Sequence, residues 1–378
     1  MRYSRYIFAS FLLVFCQIAF ANIRMEVATN GGYTGNMLSD SSKIENSYSA
    51  IKAAVNFYPH SKTELNLNSD YTYYGKMFNL SNLLCGAGIK YIPTDKNSRL
   101  TILVNAAFAA RFYRTQFESF NNTNYDAGLS VGFKAEDNIH LRTGLAYNSL
   151  QYTNFNGADK NTLKLFAGIN LTLPWSNSLD LESGFASMGY RRFGDTVTSI
   201  LKPLEDKINT QESYVRSLLV DDNLHSIYIS PRFSRPIGSK TGFNITYTYR
   251  KFSNFGDKFV NGFSTGFLSP WASVYDGQAI SMNIKTLILN GFTVTGGAGY
   301  WDKNFFKTVE NGIYYMVKVK ARKDSQSRFY LNFQRPFVLG SGITAEPVVQ
   351  FDYTHNNSTL TLYKYSSLNI SAGITFRL

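Results

Sequence analysis

Apolar and polar residues alternate along run after run of this sequence. In 63–73, Thr63, Leu65, Leu67, Ser69, Tyr71 and Tyr73 share one side, and Glu64, Asn66, Asn68, Asp70 and Thr72 share the other. Residues 100–112 repeat the pattern, with Leu100, Ile102, Val104, Ala106, Phe108, Ala110 and Phe112 opposite Thr101, Asn105 and Arg111. Residues 163–173 do so again, with Leu163, Leu165, Ala167, Ile169, Leu171 and Leu173 opposite Lys164, Asn170 and Thr172. A period of two belongs to β-strands whose two faces meet different surroundings. These runs are about twice the usual five or six residues of a soluble sheet.

Sixteen such runs can be counted, centred near residues 29, 51, 69, 87, 106, 128, 146, 167, 185, 230, 246, 283, 299, 331, 348 and 370. A count of fourteen is the alternative, because Ile313 to Val319 reads either as an extension of a neighbouring strand or as a hairpin in a loop. The breaks fall into two alternating classes. Tight turns are expected at Pro59-His60-Ser61, Pro93 to Ser98, Glu136-Asp137-Asn138, Pro174 to Ser178, Pro236 to Lys240, Asn290-Gly291 and Gly340-Ser341-Gly342. Longer or more polar breaks lie at 36–44, 76–79, 115–123, 154–160, 193–222, 253–277, 307–323 and 355–359.

Past the first two dozen residues there is no run of about 18 apolar residues, so a spanning helix is not the expectation. Aromatic residues make up 16% of the chain, with 26 Tyr and 30 Phe. Such a composition suits strands with one face in lipid. The expectation is an all-β fold, an antiparallel transmembrane β-barrel of about 16 strands, with short periplasmic turns and longer extracellular loops. Both ends of the barrel, at the N- and C-termini, are then periplasmic.

Residues 1–21 read as a secretory signal peptide, with Arg2 and Arg5 in a basic start, Ile7 to Phe15 as the apolar core, and Ala19-Phe20-Ala21 as the cleavage site. The barrel domain is then 22–378. Cys16 reads as part of the discarded apolar core, because bulky Phe15 stands where acylated signals carry a small residue. Its removal leaves Cys85 alone, a small apolar residue in register with Leu83, Ala87 and Ile89. The net charge of +12 falls by two on cleavage, and without a basic run of five or more it gives no reason to expect a nucleic-acid partner.

The last residues, Leu368, Ile370, Ala372, Ile374, Phe376 and Leu378, alternate to the end. This segment resembles the terminal recognition strand of bacterial outer-membrane β-barrels, including porin-like ones, although the chain ends in Leu rather than Phe or Trp. The resemblance implies an outer-membrane location and the outer-membrane barrel assembly machinery as a partner. Residues 328–378, with Arg335-Pro336, Tyr353, Asn356-Asn357-Ser358 and Tyr363-x-Tyr365, also loosely resemble the last hairpins in the barrel of surface lipoprotein assembly modifiers. The helical repeat domain of that group has no counterpart in this sequence.

Little here points to catalysis. His60 falls in a turn, His140 at a strand start facing inward, His225 at the end of the longest loop and His355 in another loop, with no second His at metal-ligand spacing. No metal, no cofactor and no enzyme activity are expected. Gly296-Gly297-Ala298-Gly299 lacks the Lys-Ser/Thr of a phosphate loop and sits inside a strand, where small residues make room for aromatic neighbours or a bend.

The polar face of the runs is the candidate site. It carries Lys90, Arg111, Lys134, Arg142, Lys164, Arg232, Arg250, Lys285 and Arg328 against Glu64, Asp70, Asp126, Asp180, Glu182, Glu346 and Asp352. Sixteen strands enclose more space than side chains fill. The expectation is therefore a hydrated, weakly anion-preferring pore for small hydrophilic solutes, set in outer-membrane lipid and compatible with a homo-oligomer. Two alternatives stay open: a gated barrel exporting a polymer or lipoprotein, and a plugged structural or adhesive surface barrel. Two loops bear on this choice. Residues 203–219, with Leu204, Ile208, Val215, Leu218 and Leu219, read as an amphipathic helix that narrows the pore or caps the barrel. Phe255, Phe259, Phe263, Phe267, Trp271 and Tyr275 form a fourfold aromatic register fit for stacking on a sugar or partner, or for anchoring at the rim.

Overall fold

A computed structural model describes residues 22–39, 41–95, 98–153, 159–190, 223–253, 274–288, 291–310, 318–340 and 342–378. Among these, sixteen long strands follow one another: β1 Asn22–Thr34, β2 Asn46–His60, β3 Thr63–Tyr74, β4 Asn82–Tyr91, β5 Leu100–Tyr113, β6 Asn122–Glu136, β7 Ile139–Tyr152 and β8 Lys160–Leu173. They continue with β9 Asn177–Tyr190, β10 Asn223–Ile237, β11 Thr241–Phe252, β12 Asp276–Leu287, β13 Thr293–Glu310, β14 Lys318–Gln334, β15 Thr344–Ser358 and β16 Tyr365–Arg377. Each expected run has become one strand. A two-residue bridge, Phe337–Val338, pairs with the start of β15.

Every long strand pairs antiparallel with its neighbour in sequence, and β1 pairs with both β2 and β16, so the sheet closes on itself. Closure satisfies the backbone of every strand without a free edge, the condition a sheet must meet inside a bilayer. The seam is long: nine residue pairs run from Glu26↔Arg377 to Thr34↔Asn369. Arg377 reinforces it, donating to Glu26 across the seam at 3.0 Å and to Glu346 on β15.

The outward positions are apolar. Ile51, Leu129, Leu145, Leu165 and Ile280 form an exposed aliphatic belt. Tyr33, Tyr73, Phe112 and Tyr249 ring one end of it, and Tyr91, Phe133, Phe333 and Trp175 ring the other. A belt between two aromatic girdles is the outer surface of a transmembrane barrel. Cys85 faces outward as expected, with Sγ 3.9 Å from Ser69 Oγ. No helix among the described residues is long and apolar enough to cross a membrane.

Short turns sit at the end where β1 starts and β16 finishes, such as the two residues between Glu136 and Ile139, and longer connections sit at the other end. The tight turns use the expected chemistry, with left-handed Gly340 and Gly342 reversing the chain before β15. Of the break expected at 307–323, residues 307–310 belong to β13 and 318–323 to β14, while 311–317 lie outside the described residues. These two strands continue past a bulge to Glu310↔Lys318, beyond the point where β12 and β15 stop pairing with them.

Three histidine placements need correction, the first being His60, which ends β2 and pairs with Thr63 across the turn. His225 lies in β10 rather than in a loop, its ring stacked on Phe185 at 5.5 Å. His355 lies in β15, which runs on to Ser358, and its Nδ1 is 2.8 Å from Ser366 Oγ. His225 and His355 were hidden because pairing with neighbouring strands carries these strands past the point where local alternation fades. The signal peptide at 1–21, the expected helix at 203–219 and the aromatic positions 255–271 lie outside the described residues.

Candidate functional site: the lumen wall

The inward faces bring together most of the charges singled out from sequence. Arg142 on β7 reaches over Gly168 on β8 and donates to Asp180 and Glu182 on β9, each at 2.9 Å. Glu182 also takes Lys164 of β8 at 3.4 Å and the hydroxyl of Tyr228 on β10 at 2.5 Å. The Lys164 ammonium lies 4.7 Å from the Tyr228 ring centre, a cation–π contact that holds it against the wall.

Other residues pair locally. Arg328 and Asp352 form an ion pair between β14 and β15, with Nε 2.7 Å from Oδ2. Asp70 meets Lys52 at 3.1 Å, Glu346 meets Arg377, and Asp126 accepts from Asn148 at 2.7 Å. Glu64 stands opposite Lys90 in the β3–β4 register. Arg250 lies over the Tyr275 ring at 5.3 Å. Lys134 pairs with Asp137 of the adjoining turn at 2.7 Å, which draws it to the rim. Arg111 is inward on β5, opposite Asn122 on β6 and Leu84 on β4. Arg232 and Lys285 line a second cavity, described below.

One device recurs on the wall. A large inward side chain lies across an inward glycine of its own or the next strand. Tyr228 covers Gly184, Phe166 covers Gly144, Tyr330 covers Gly297 and Trp301 covers Gly299. A Cβ at any of these glycines meets ring atoms at once, so the ring can lie down only because the glycine has none. Tyr330 then reaches Asn283 on β12 at 2.5 Å, and Asn283 donates to Asn244 on β11 at 3.1 Å. The Gly296–Gly299 run thus makes room for aromatics, as its place in a strand implied. These four rings lie along the wall.

Among the described residues, two cavities lie against the wall. Near the short-turn end, a space of about 540 Å³ is lined by Arg232, Arg235, Lys285, Asn244, Asn283 and Tyr330, a basic surface without an acidic member. Near the loop end, a space of about 610 Å³ spreads from β13 through the seam to β3. Asn36, Met37 and Ser39 of the first loop line it and are tied down by backbone bonds from Gly35 to Leu368 at 2.8 Å and from Ser41 to Leu362 at 2.8 Å. Sequence reasoning missed its aromatic members Tyr48, Tyr74, Trp301 and Tyr365. Parity alone would have put Trp301 on the inward side, two residues beyond Gly299.

At the loop-side rim, Asp324 is 2% exposed and paired with Arg322, whose guanidinium lies 3.4 Å from the Tyr363 ring centre and 4.2 Å from that of Phe305. Asn356 donates to Asp324 at 3.1 Å and to the Tyr363 carbonyl at 2.7 Å, holding the loop after β15 inward. No group of three or more His, Cys, Asp or Glu fit to hold a metal occurs among the described residues.

No protein-family model matches the sequence, and no curated protein matches it either. Solved structures match the fold. OccAB3 of Acinetobacter baumannii superposes with a TM-score of 0.50 at 10% identity, covering 95% of this chain and 100% of its own. CdiB of Acinetobacter baumannii gives a TM-score of 0.50 at 10% identity over 93% of this chain, which spans only 60% of CdiB. OccAB1 of the same organism gives 0.49 at 8% identity, covering 95% and 97%. The shared feature is the closed antiparallel barrel of outer-membrane proteins.

Proposed function

We propose that this chain is an outer-membrane channel through which small hydrophilic solutes diffuse. The observation that carries the reading is the inner wall: sixteen strands close around a polar lumen, and the inward rings of Phe166, Tyr228, Tyr330 and Trp301 lie against glycine. A barrel of 16–18 strands leaves an aqueous passage unless something fills it. The likeness to OccAB3 over the whole length of both chains supports the same architecture.

On this reading residues 1–21 direct export, the short-turn rim with both barrel ends faces the periplasm, and the longer loops face outward. The assembly machinery of the outer membrane inserts the chain. The lumen charges tune passage. Basic residue Lys285 stands apart from the paired clusters, which favours a weak anion preference.

The test is conductance of the refolded mature protein in a planar bilayer, in a salt gradient. Open steps with a reversal potential on the anion side bear the reading out. A folded protein that inserts and never opens overturns it. A gated exporting barrel is the second reading, favoured by the loops 35–45 and 359–364, which lock together at the loop-side mouth. It predicts opening only after the backbone tie between Ser41 and Leu362 is cut.

A further inference from the structure

The loop-side cavity differs in kind from the one near the short turns. Its charged members are already matched: Arg328 with Asp352, and Lys52 with Asp70 just outside it. The charges that line it are therefore paired, whereas Arg232, Arg235 and Lys285 line the cavity at the other end. What this cavity offers instead is aromatic surface beside many neutral donors and acceptors.

Trp301 supplies the surface. Its six-membered ring occupies the space that a side chain at Gly299 would fill, and the residue lines the cavity. Tyr48, Tyr74 and Tyr365 add apolar rings with polar tips. Around them stand Asn30, Asn369 and Gln326. The Asn30 Oδ1 is shielded from solvent and has no hydrogen-bond partner among the described residues. The volume, about 610 Å³, is within the ~300–1,000 Å³ range of small-molecule sites.

From these features we infer that the cavity between β13 and β3 is a binding site for a neutral polyhydroxylated solute, a short oligosaccharide. A sugar ring carries an apolar C–H face and an equatorial belt of hydroxyls. The first packs on Trp301, and the second meets Asn30, Asn369 and Gln326. The inference rests on the channel reading for its biological sense, but the site does not depend on conduction.

The experiment is calorimetric titration of maltotriose into the refolded mature protein in a sugar-free detergent, with citrate as a charged comparison, and bilayer conductance on the same preparation. Saturable maltotriose binding, absent for citrate and weakened about tenfold in Trp301→Ala, is the expected result. Heat-dependent gel mobility verifies folding of each variant. Should Trp301→Ala not fold, Asn30→Ala replaces it, since that amide oxygen has no bond to lose, and weaker binding is again expected. Folded wild-type protein that takes up no maltotriose overturns the site, and so does a folded variant that binds as well as wild type. The conductance decides the other question separately: open steps without binding leave the channel reading intact, and binding without open steps keeps the site while removing the channel.

Discussion

The ring of Tyr228 on β10 lies on the bare backbone of Gly184 on β9, the residue opposite it in register. A side chain at 184 must collide with that ring and with the Leu165 carbonyl. Gly184→Val should therefore lose about 1–3 kcal/mol, the usual cost of overpacking a filled position. The urea midpoint of the refolded barrel measures this. An unchanged midpoint would mean that the ring stands up into the lumen.

The same tyrosine donates to Glu182, which also holds Arg142 and Lys164. In Glu182→Gln, Arg142 keeps Asp180 while Lys164 loses its acid. Chloride permeability relative to potassium should rise roughly twofold, a modest effect because salt screens over ~8–10 Å. The reversal potential in a potassium chloride gradient reports it, and a shift toward potassium would contradict the arrangement.

Asp324 is the most enclosed acid of the loop-side cluster, and its partner Arg322 is itself only 13% exposed. Asp324→Asn leaves that guanidinium without its counter-charge. The expected loss of local stability at the rim is about 3–5 kcal/mol. Limited proteolysis should show cleavage within 359–364 before global unfolding. Equal protease resistance in both proteins would refute the clamp.

Leu165 faces outward in the middle of the aliphatic belt and is 51% exposed without lipid. Leu165→Arg should cost about 2–4 kcal/mol when the barrel is refolded into vesicles, and far less in the short-chain detergent. A substitution tolerated equally in both media would remove this face from the bilayer. Lys164, its neighbour in sequence, already carries a charge at nearly the same height because it points the other way.

The barrel was legible in the sequence because a period of two survives wherever one face meets lipid and the other meets water. Strands at 63–74 and 100–113 could be read residue by residue for that reason. Pairing was not legible in the same way. Arg142 and Glu182 are forty residues apart and two strands removed, and their meeting depends on register through Gly168, which no local pattern encodes. His225 and His355 were placed in loops because the strand ends they occupy are defined by neighbours rather than by their own alternation. The loop-side cavity was less visible still, since the first loop and the last meet only after the seam has closed.

That seam also sets the order of events. Arg377 and Glu26 are 351 positions apart, yet they stand opposite each other. Loop-closure entropy must be spent before so distant a pair contributes anything, and contacts of this span slow folding. Until β16 arrives, β1 is an open edge of unpaired amides facing any strand that comes near. The growing sheet must be kept from other chains for the whole of its synthesis and transit, and the thirteen residues of β16 end that vulnerability in a single docking step.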